Sequence, residues 1–157
     1  MEMAEDEPLH TTRGERQVWS GLTSMVVSAL LYYAWLVPAV ARTPVAEISW
    51  VPAMFWSMLA GMVGTIIVAI ILEIVVAVRH PADDEKGAVA VDVRDREIGR
   101  SAGRLATPVL STGLGAVVIL AAVGADHFWI GNAAFLCGLL AAVAEAIIKL
   151  RLYRRGF

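Results

Sequence analysis

The chain has 157 residues, which is enough for one domain, but its composition is unlike that of a soluble protein. Hydrophobic residues make up 58% and charged residues only 18%, whereas about a quarter of the residues in soluble domains are charged. The net charge of -2 argues against binding to nucleic acid, because such binding depends on excess positive charge. The single cysteine, Cys137, excludes an intrachain disulfide and a Cys-x-x-Cys redox pair.

Charged residues are absent from four long windows of the sequence. These windows hold 25, 25, 21 and 18 residues, and they cover positions 17–41, 48–72, 105–125 and 127–144. About 20 apolar residues suffice to cross a bilayer, and none of the windows has the polar face that a helix in water needs. We therefore predict an all-α, polytopic membrane protein. Its four transmembrane helices form two hairpins that are joined by a cytoplasmic connector.

The first half of the chain is expected to contain a tail and one hairpin. Residues 1–17 are polar and mostly acidic, without the basic start and short apolar core of a secretory signal, so we expect a disordered cytoplasmic tail. Residues 18–78 form the first transmembrane hairpin. Its first helix is expected to run from about Val18 to Val40, where Pro38 and the segment that follows it end the helix and turn the chain, and its second helix begins near Trp50.

The second half contains the connector and the second hairpin. Residues 79–104 form the cytoplasmic connector, in which helical order resumes near Asp92 and the chain lies along the membrane surface. Residues 105–157 form the second hairpin and a basic cytoplasmic C-terminus. The third helix begins near Ala106 and ends at Gly124, a residue type that favours helix ends.

The distribution of basic residues predicts the orientation in the membrane. Six lie in the connector, four in the C-terminal region and two in the N-terminal tail, whereas the two opposite links contain only Arg42. Basic residues accumulate on the cytoplasmic side of membrane proteins. We therefore expect both termini and the connector to be cytoplasmic, in a multi-pass protein of the bacterial inner membrane.

Small residues recur at every fourth position within the predicted helices. Rows of this kind let the backbones of membrane helices approach closely, which favours tight packing or self-association. The expected partners are therefore the lipid bilayer and either a second copy of the chain or another membrane protein. The predicted packing residues are Gly61, Thr65 and Ala69 in the second helix, Ser111 and Gly115 in the third, and Gly138 and Ala142 in the fourth, with Ser20, Ser24 and Ser28 in the first.

Two glutamates interrupt the apolar helices, where ionisable groups are costly and are often functional. Glu73 and Glu145 each lie six residues before an arginine, roughly 9 Å inside the basic border of their helix. If the carboxylates face each other, they can share a proton, as a proton-coupled carrier requires. The structural alternative pairs Glu145 with Lys149 one turn later, while Glu73 either reaches a basic residue of the connector or extends its carboxylate to the membrane interface. The sequence leaves both interpretations open.

One polar cluster is predicted on the outer side, formed by Asp126, His127 and Asn132. Asp126 is well placed to cap the N-terminus of the fourth helix. The cluster offers too few ligands for a metal ion. No phosphate-binding glycine loop and no Ser-His-Asp arrangement is present, so we expect neither a catalytic site nor a cofactor.

Three segments, 92–98, 125–132 and 149–157, resemble a family of small bacterial four-helix membrane proteins of unknown function. The family carries the connector motif Asp-Glu-Arg-Asp-Arg-Glu-Ile. The resemblance implies the four-helix architecture and no particular activity. Val93 stands where the family usually has an acidic residue, and the charged residues that match the motif are Asp92, Arg94, Asp95, Arg96 and Glu97.

Taken together, these features predict a non-enzymatic protein that acts as an accessory or scaffold component of the bacterial inner membrane. The alternative is a small, oligomeric, proton-coupled transporter that uses Glu73 and Glu145. The two hypotheses differ in whether these carboxylates stabilise the fold or carry protons.

Overall fold

The computed structural model describes residues 13–79 and 88–155, which contain four long helices and one short 3-10 turn. The helices are α1 (Arg13–Arg42), α2 (Trp50–Arg79), α3 (Ala88–Ala122) and α4 (His127–Arg155), and the turn spans Val45–Glu47. Each helix contains a segment that is long and apolar enough to cross a membrane. The prediction of an all-α, multi-pass membrane protein is confirmed.

The predicted N-terminal tail and connector overlap these helices in part. Residues 13–17 belong to α1 rather than to a tail, and the remainder of the predicted tail, like positions 80–87 of the connector, lies outside the described residues. The first helix, predicted to end near Val40, ends at Arg42, and Pro38 lies inside it. Proline removes a single backbone bond, and the Thr43 N–H still donates to the Ala39 carbonyl oxygen over 2.9 Å, so the final turn remains closed.

The third helix is longer than the sequence suggested. α3 begins at Ala88 rather than near Ala106 and runs without a break for 35 residues, with Pro108 well inside it. At 1.5 Å per residue the helix is roughly 52 Å long, well beyond a hydrocarbon core of ~30 Å. The second half of the connector is therefore a continuous extension of the third membrane segment, and the predicted separate surface segment is wrong.

The four helices form an open row rather than a closed bundle. α1 packs against α2, α3 packs against α4, and the two hairpins meet mainly between α1 and α4. The order across the row is thus α2, α1, α4 and α3. α2 and α3 occupy its edges and leave most of their apolar side chains exposed, as the positions of a membrane protein that face lipid should be.

We call the end of the row that contains the two interhelical links the loop end. Its core is formed by the buried side chains of Tyr32, Leu36 and Phe128. The Tyr32 hydroxyl donates to Asn132 Oδ1 over 2.7 Å, and the Asn132 amide donates to the Phe128 carbonyl oxygen over 2.9 Å. The first bond joins α1 to α4, and the second, within α4, satisfies the Asn132 amide; both are buried, as polar groups in apolar surroundings require.

The link between α3 and α4 follows the predicted chemistry. Gly124 has a φ of +70°, in the left-handed region that glycine adopts without strain, and it lies just beyond the end of α3. Asp126 Oδ1 then accepts a hydrogen bond from the Phe128 N–H over 2.8 Å. The predicted N-terminal cap of α4 by Asp126 is confirmed. Asn132, in contrast, is not part of an outer cluster with Asp126, because it is buried against Tyr32.

Candidate functional site: the cleft between the two hairpins

The small residues of α1 and α2 bring these two helices into close contact. A Cβ atom added at Gly61 would lie 2.7 Å from Ser28 Oγ, too close for any real side chain. The Ser57 hydroxyl also donates to the Ser28 carbonyl oxygen over 2.9 Å, and Thr65 lies beside Gly21. The side chain of Ser28 therefore fills the space beside Gly61, so a larger residue at position 61 would have to displace it, as the small-residue row predicts.

The second hairpin uses a different glycine from the one predicted. A Cβ at Gly113 would lie 2.6 Å from the Cβ of Cys137, so this pair sets the contact between α3 and α4. Gly115 and Gly138, both predicted to pack, would each place a Cβ with no heavy atom within 4 Å. Ser111 is exposed. Within one chain, the packing prediction for Gly115 and Gly138 is wrong, because these faces of α3 and α4 have no helix against them.

The space beside Gly138 is a cleft between the two hairpins, with a volume of about 820 Å³. α1 and α4 form its two long walls, α2 contributes Gly61 and Thr65, and α3 closes one end with Asp95 and Gly99. Small side chains such as Ala142 line much of the wall, so the cleft exists because small residues occupy positions where the helices diverge. The lining is mostly apolar along its length.

We call the opposite end of the row, where α1 begins and α4 finishes, the terminal end, and here the cleft has a polar mouth. The Lys149 ammonium contacts Glu145 Oε1 over 2.7 Å, one helical turn away, which confirms the predicted pair. The Tyr153 hydroxyl donates to Asp95 Oδ1 over 2.9 Å. All four of these side chains line the cleft. Its mouth therefore presents two carboxylates, one ammonium and one phenol.

Glu73 is paired elsewhere than predicted. Its carboxylate lies 3.3 Å from the Arg16 guanidinium of α1, not beside a basic residue of the connector. The sequence places Arg16 in the predicted tail. Because α1 begins at Arg13, Arg16 lies instead in α1, the helix next to the one that carries Glu73. Glu145 and Glu73 thus each have a basic partner of their own.

The connector motif joins α3 to the end of α4. The Arg94 guanidinium donates to the Tyr153 carbonyl oxygen over 3.4 Å, while Asp95 accepts from the hydroxyl of the same residue. Arg96 and Glu97 are exposed, and the side chain of Asp92 lies outside the described part of the chain. Ile98, which follows the charged residues, is only 2% exposed and anchors this face of α3. Arg94 and Asp95 of the motif therefore hold α3 against α4 at the mouth of the cleft.

Sequence reasoning missed Tyr153 and Gly14, which meet at this mouth. A Cβ on Gly14 would overlap the Tyr153 hydroxyl and lie 3.0 Å from Asp95 Oδ1, so α1, α3 and α4 converge on this point. Glu15, beside it, accepts a hydrogen bond from the Arg154 guanidinium over 3.5 Å. The presence of a tyrosine amid a basic C-terminal segment was the one available signal, since tyrosine commonly lies at the edge of a membrane.

Among residues 13–79 and 88–155, no three His, Cys, Asp or Glu side chains come close enough together to hold a metal ion. Comparison with protein-family models, with characterised proteins and with solved structures finds no match to this chain. The resemblance to the four-helix bacterial family, based on the connector motif and the two later segments, therefore remains a prediction.

Proposed function

We propose that this protein is a non-enzymatic accessory or scaffold component of the bacterial inner membrane, with its terminal end in the cytoplasm. The observation that carries the proposal is the pairing of Glu73 with Arg16 and of Glu145 with Lys149. Each carboxylate therefore has a cation of the same chain as its partner, which offsets the cost of placing a charge in an apolar helix. This geometry is that of structural ion pairs and supports a structural role for both glutamates.

The arrangement of the helices supports a role in binding other membrane components. α2 and α3 form the two edges of the row, and their apolar faces are open along most of the membrane-spanning length. The third helix also extends beyond the membrane segment as an ordered helix that carries exposed charged residues, among them Glu97 and Arg100. Such an element can contact a partner at the cytoplasmic surface while the hairpins remain in the bilayer.

A transport assay separates this proposal from the proton-coupled alternative. The full-length protein is reconstituted into vesicles that contain a pH-sensitive dye, and proton movement is followed under imposed gradients of pH and voltage. We expect no flux above that of empty vesicles. Flux in the wild-type protein that disappears in both Glu73→Gln and Glu145→Gln would overturn the proposal, because an amide keeps the shape of the side chain but cannot titrate.

A scaffold role requires a partner that binds at one particular edge of the row of helices. A photo-crosslinking residue placed at Ile66 of α2 or at Val118 of α3, both more than half exposed, should capture a defined membrane partner in native membranes. The same residue placed at Ala102, which is fully buried, serves as the control. Equal products from all three positions would reflect random collision and would count against a scaffold role.

A further inference from the structure

The dimensions of the cleft match one leaflet of a bilayer. On α1 the lining runs from Gly14 to Ser28, and on α4 it runs from Ala134 to Tyr153, with polar side chains at Glu145, Lys149 and Tyr153. The part of α4 that precedes these polar side chains, from Ala134 to Glu145, advances 11 residues, which is roughly 16 Å along a helix, and half of the hydrocarbon core of a membrane measures ~15 Å. The apolar part of the cleft therefore matches one layer of lipid tails in depth, which puts its polar mouth at the level of the headgroups.

The volume of the cleft is that of a small-molecule site. It measures about 820 Å³, within the range of about 300–1,000 Å³ typical of such sites. Water is a poor occupant, since it needs several polar partners and the lining is mostly apolar.

The charges at the mouth further restrict the occupant. Asp95, Glu145 and Lys149 are the charged side chains of the cleft, and together they carry one excess negative charge. The two guanidinium groups nearby are directed elsewhere, Arg94 to the Tyr153 carbonyl oxygen and Arg154 to Glu15. A group that carries both an ammonium and a phosphate complements this arrangement, whereas a purely anionic group adds a negative charge to a negative site.

We propose that the cleft binds one phospholipid of the cytoplasmic leaflet, of the kind whose headgroup contains a phosphate and a primary ammonium. One acyl chain lies between Gly61 and Gly138, where apolar side chains such as Met25 and Leu139 line the walls. The phosphate lies near Lys149, and the ammonium lies near Asp95. A primary ammonium has three N–H donors for the carboxylate, whereas the quaternary ammonium of choline has none, so the site distinguishes ethanolamine from choline headgroups.

The test uses phospholipids that carry a photoreactive diazirine in the middle of one acyl chain. Full-length protein is reconstituted into vesicles containing equal parts of phosphatidylethanolamine, phosphatidylglycerol and phosphatidylcholine, with one of the three photoreactive in each experiment. After irradiation the labelled peptides are identified by mass spectrometry. Peptides from the exposed face of α2, around Ile66, report contact with bulk lipid and provide the internal reference.

We expect the segment around Gly138 to be labelled by phosphatidylethanolamine roughly fivefold more than by either other lipid, relative to the reference, as the net contribution of one typical hydrogen bond can supply. Gly138→Leu should reduce this labelling to the level of bulk contact, because the new side chain enters the cleft. Gly115→Leu is the matched control, since it also adds leucine where no heavy atom lies within 4 Å, but on α3 outside the cleft lining.

Asp95→Asn tests the headgroup assignment separately, because it keeps an oxygen that accepts from Tyr153 and removes the charge. It should abolish the preference for ethanolamine over choline while labelling around Gly138 persists. Equal labelling around Gly138 by all three lipids in the wild type would overturn the headgroup assignment. Labelling that survives Gly138→Leu unchanged, or that never exceeds bulk contact in the wild type, would overturn the site itself. None of these results bears on proton flux or on partner capture, so the proposed function is tested independently.

Discussion

The Tyr153 hydroxyl of α4 donates a 2.9 Å hydrogen bond to Asp95 Oδ1 of α3, and both groups lie against Gly14 of α1. Three of the four helices therefore meet at one point of the terminal end. The loop end has a corresponding contact between Tyr32 of α1 and Asn132 of α4. With α1 and α4 held together at both ends, the divergence of their middle sections leaves a cleft without weakening the contact between the hairpins.

Removing the Tyr153 hydroxyl should weaken the terminal end. Tyr153→Phe leaves the Asp95 carboxylate without its phenol donor, and a hydrogen bond to a charged group contributes about 1.5–3 kcal/mol. The site is half-buried, so solvent weakens the hydrogen bond. We therefore expect a loss of about 1–2 kcal/mol in the free energy of unfolding. Denaturant unfolding in mild detergent measures the change.

A double-mutant cycle with Asp95→Ala shows whether the effect belongs to this pair. Residues in one hydrogen bond normally give a coupling energy of about 0.5–3 kcal/mol, so the double variant should lose less than the sum of the two single variants. Strictly additive losses would mean that Tyr153 stabilises the protein through packing alone, and the assignment of the hydrogen bond as the contact between α3 and α4 would fail.

A single methyl group at Gly14 should separate the helices that meet at this point. The added Cβ would overlap the Tyr153 hydroxyl, so Gly14→Ala forces either the tyrosine or α1 to move, at a cost of about 1–3 kcal/mol. Gly99→Ala is the control, because a Cβ there has no neighbour within 4 Å and alanine favours helix formation by up to about 1 kcal/mol. Thermal unfolding should rank the proteins with Gly99→Ala at or above the wild type and Gly14→Ala below both.

The helices themselves were predictable because a membrane excludes uncompensated charge. Four windows without a charged residue correspond to the four helices, and the boundaries at Trp50 and at the α3–α4 link agree with the structure. The largest difference lies in the third helix, which was expected to begin near Ala106 and begins at Ala88. Pro38 and Pro108 are both internal to helices, because a helix that is stabilised on either side tolerates the loss of one backbone bond.

The site was less predictable because its contacts join distant parts of the chain. Arg16 and Glu73 are 57 positions apart, and Asp95 and Tyr153 are 58 apart, so neither pair follows from a local pattern. Lys149 and Glu145 lie one turn apart on one helix, and their pairing was predicted correctly. The small-residue rows indicated which faces allow close approach but not which faces have a neighbour. Gly61 has one, and Gly138 has only the cleft.

The two glycines should therefore respond differently to the same substitution. Gly61→Leu should force α1 and α2 apart, because even the first carbon of the new side chain meets Ser28, and the first hairpin should lose about 2 kcal/mol or more. Gly138→Leu should leave the unfolding temperature close to that of the wild type. Ile71→Leu, at an exposed position on α2, provides a further control of similar size. Equal stability of all the variants would remove the argument that small residues set the helix contacts.

The last prediction concerns the orientation of the row in the membrane. Twelve of the 13 basic residues lie on the side of the termini and connector, so this side should be cytoplasmic. The sole cysteine is first replaced by Cys137→Ala, and a new cysteine is then placed either at Ala125, in the α3–α4 link, or at Glu97, on the exposed surface of the α3 extension. In intact cells a membrane-impermeant maleimide should label the variant Ala125→Cys and leave Glu97→Cys unlabelled. After the cells are opened, both should react, which controls for accessibility. Labelling of Glu97→Cys in intact cells would show that the topology is the reverse of the predicted one. The lipid in the cleft would then come from the outer leaflet.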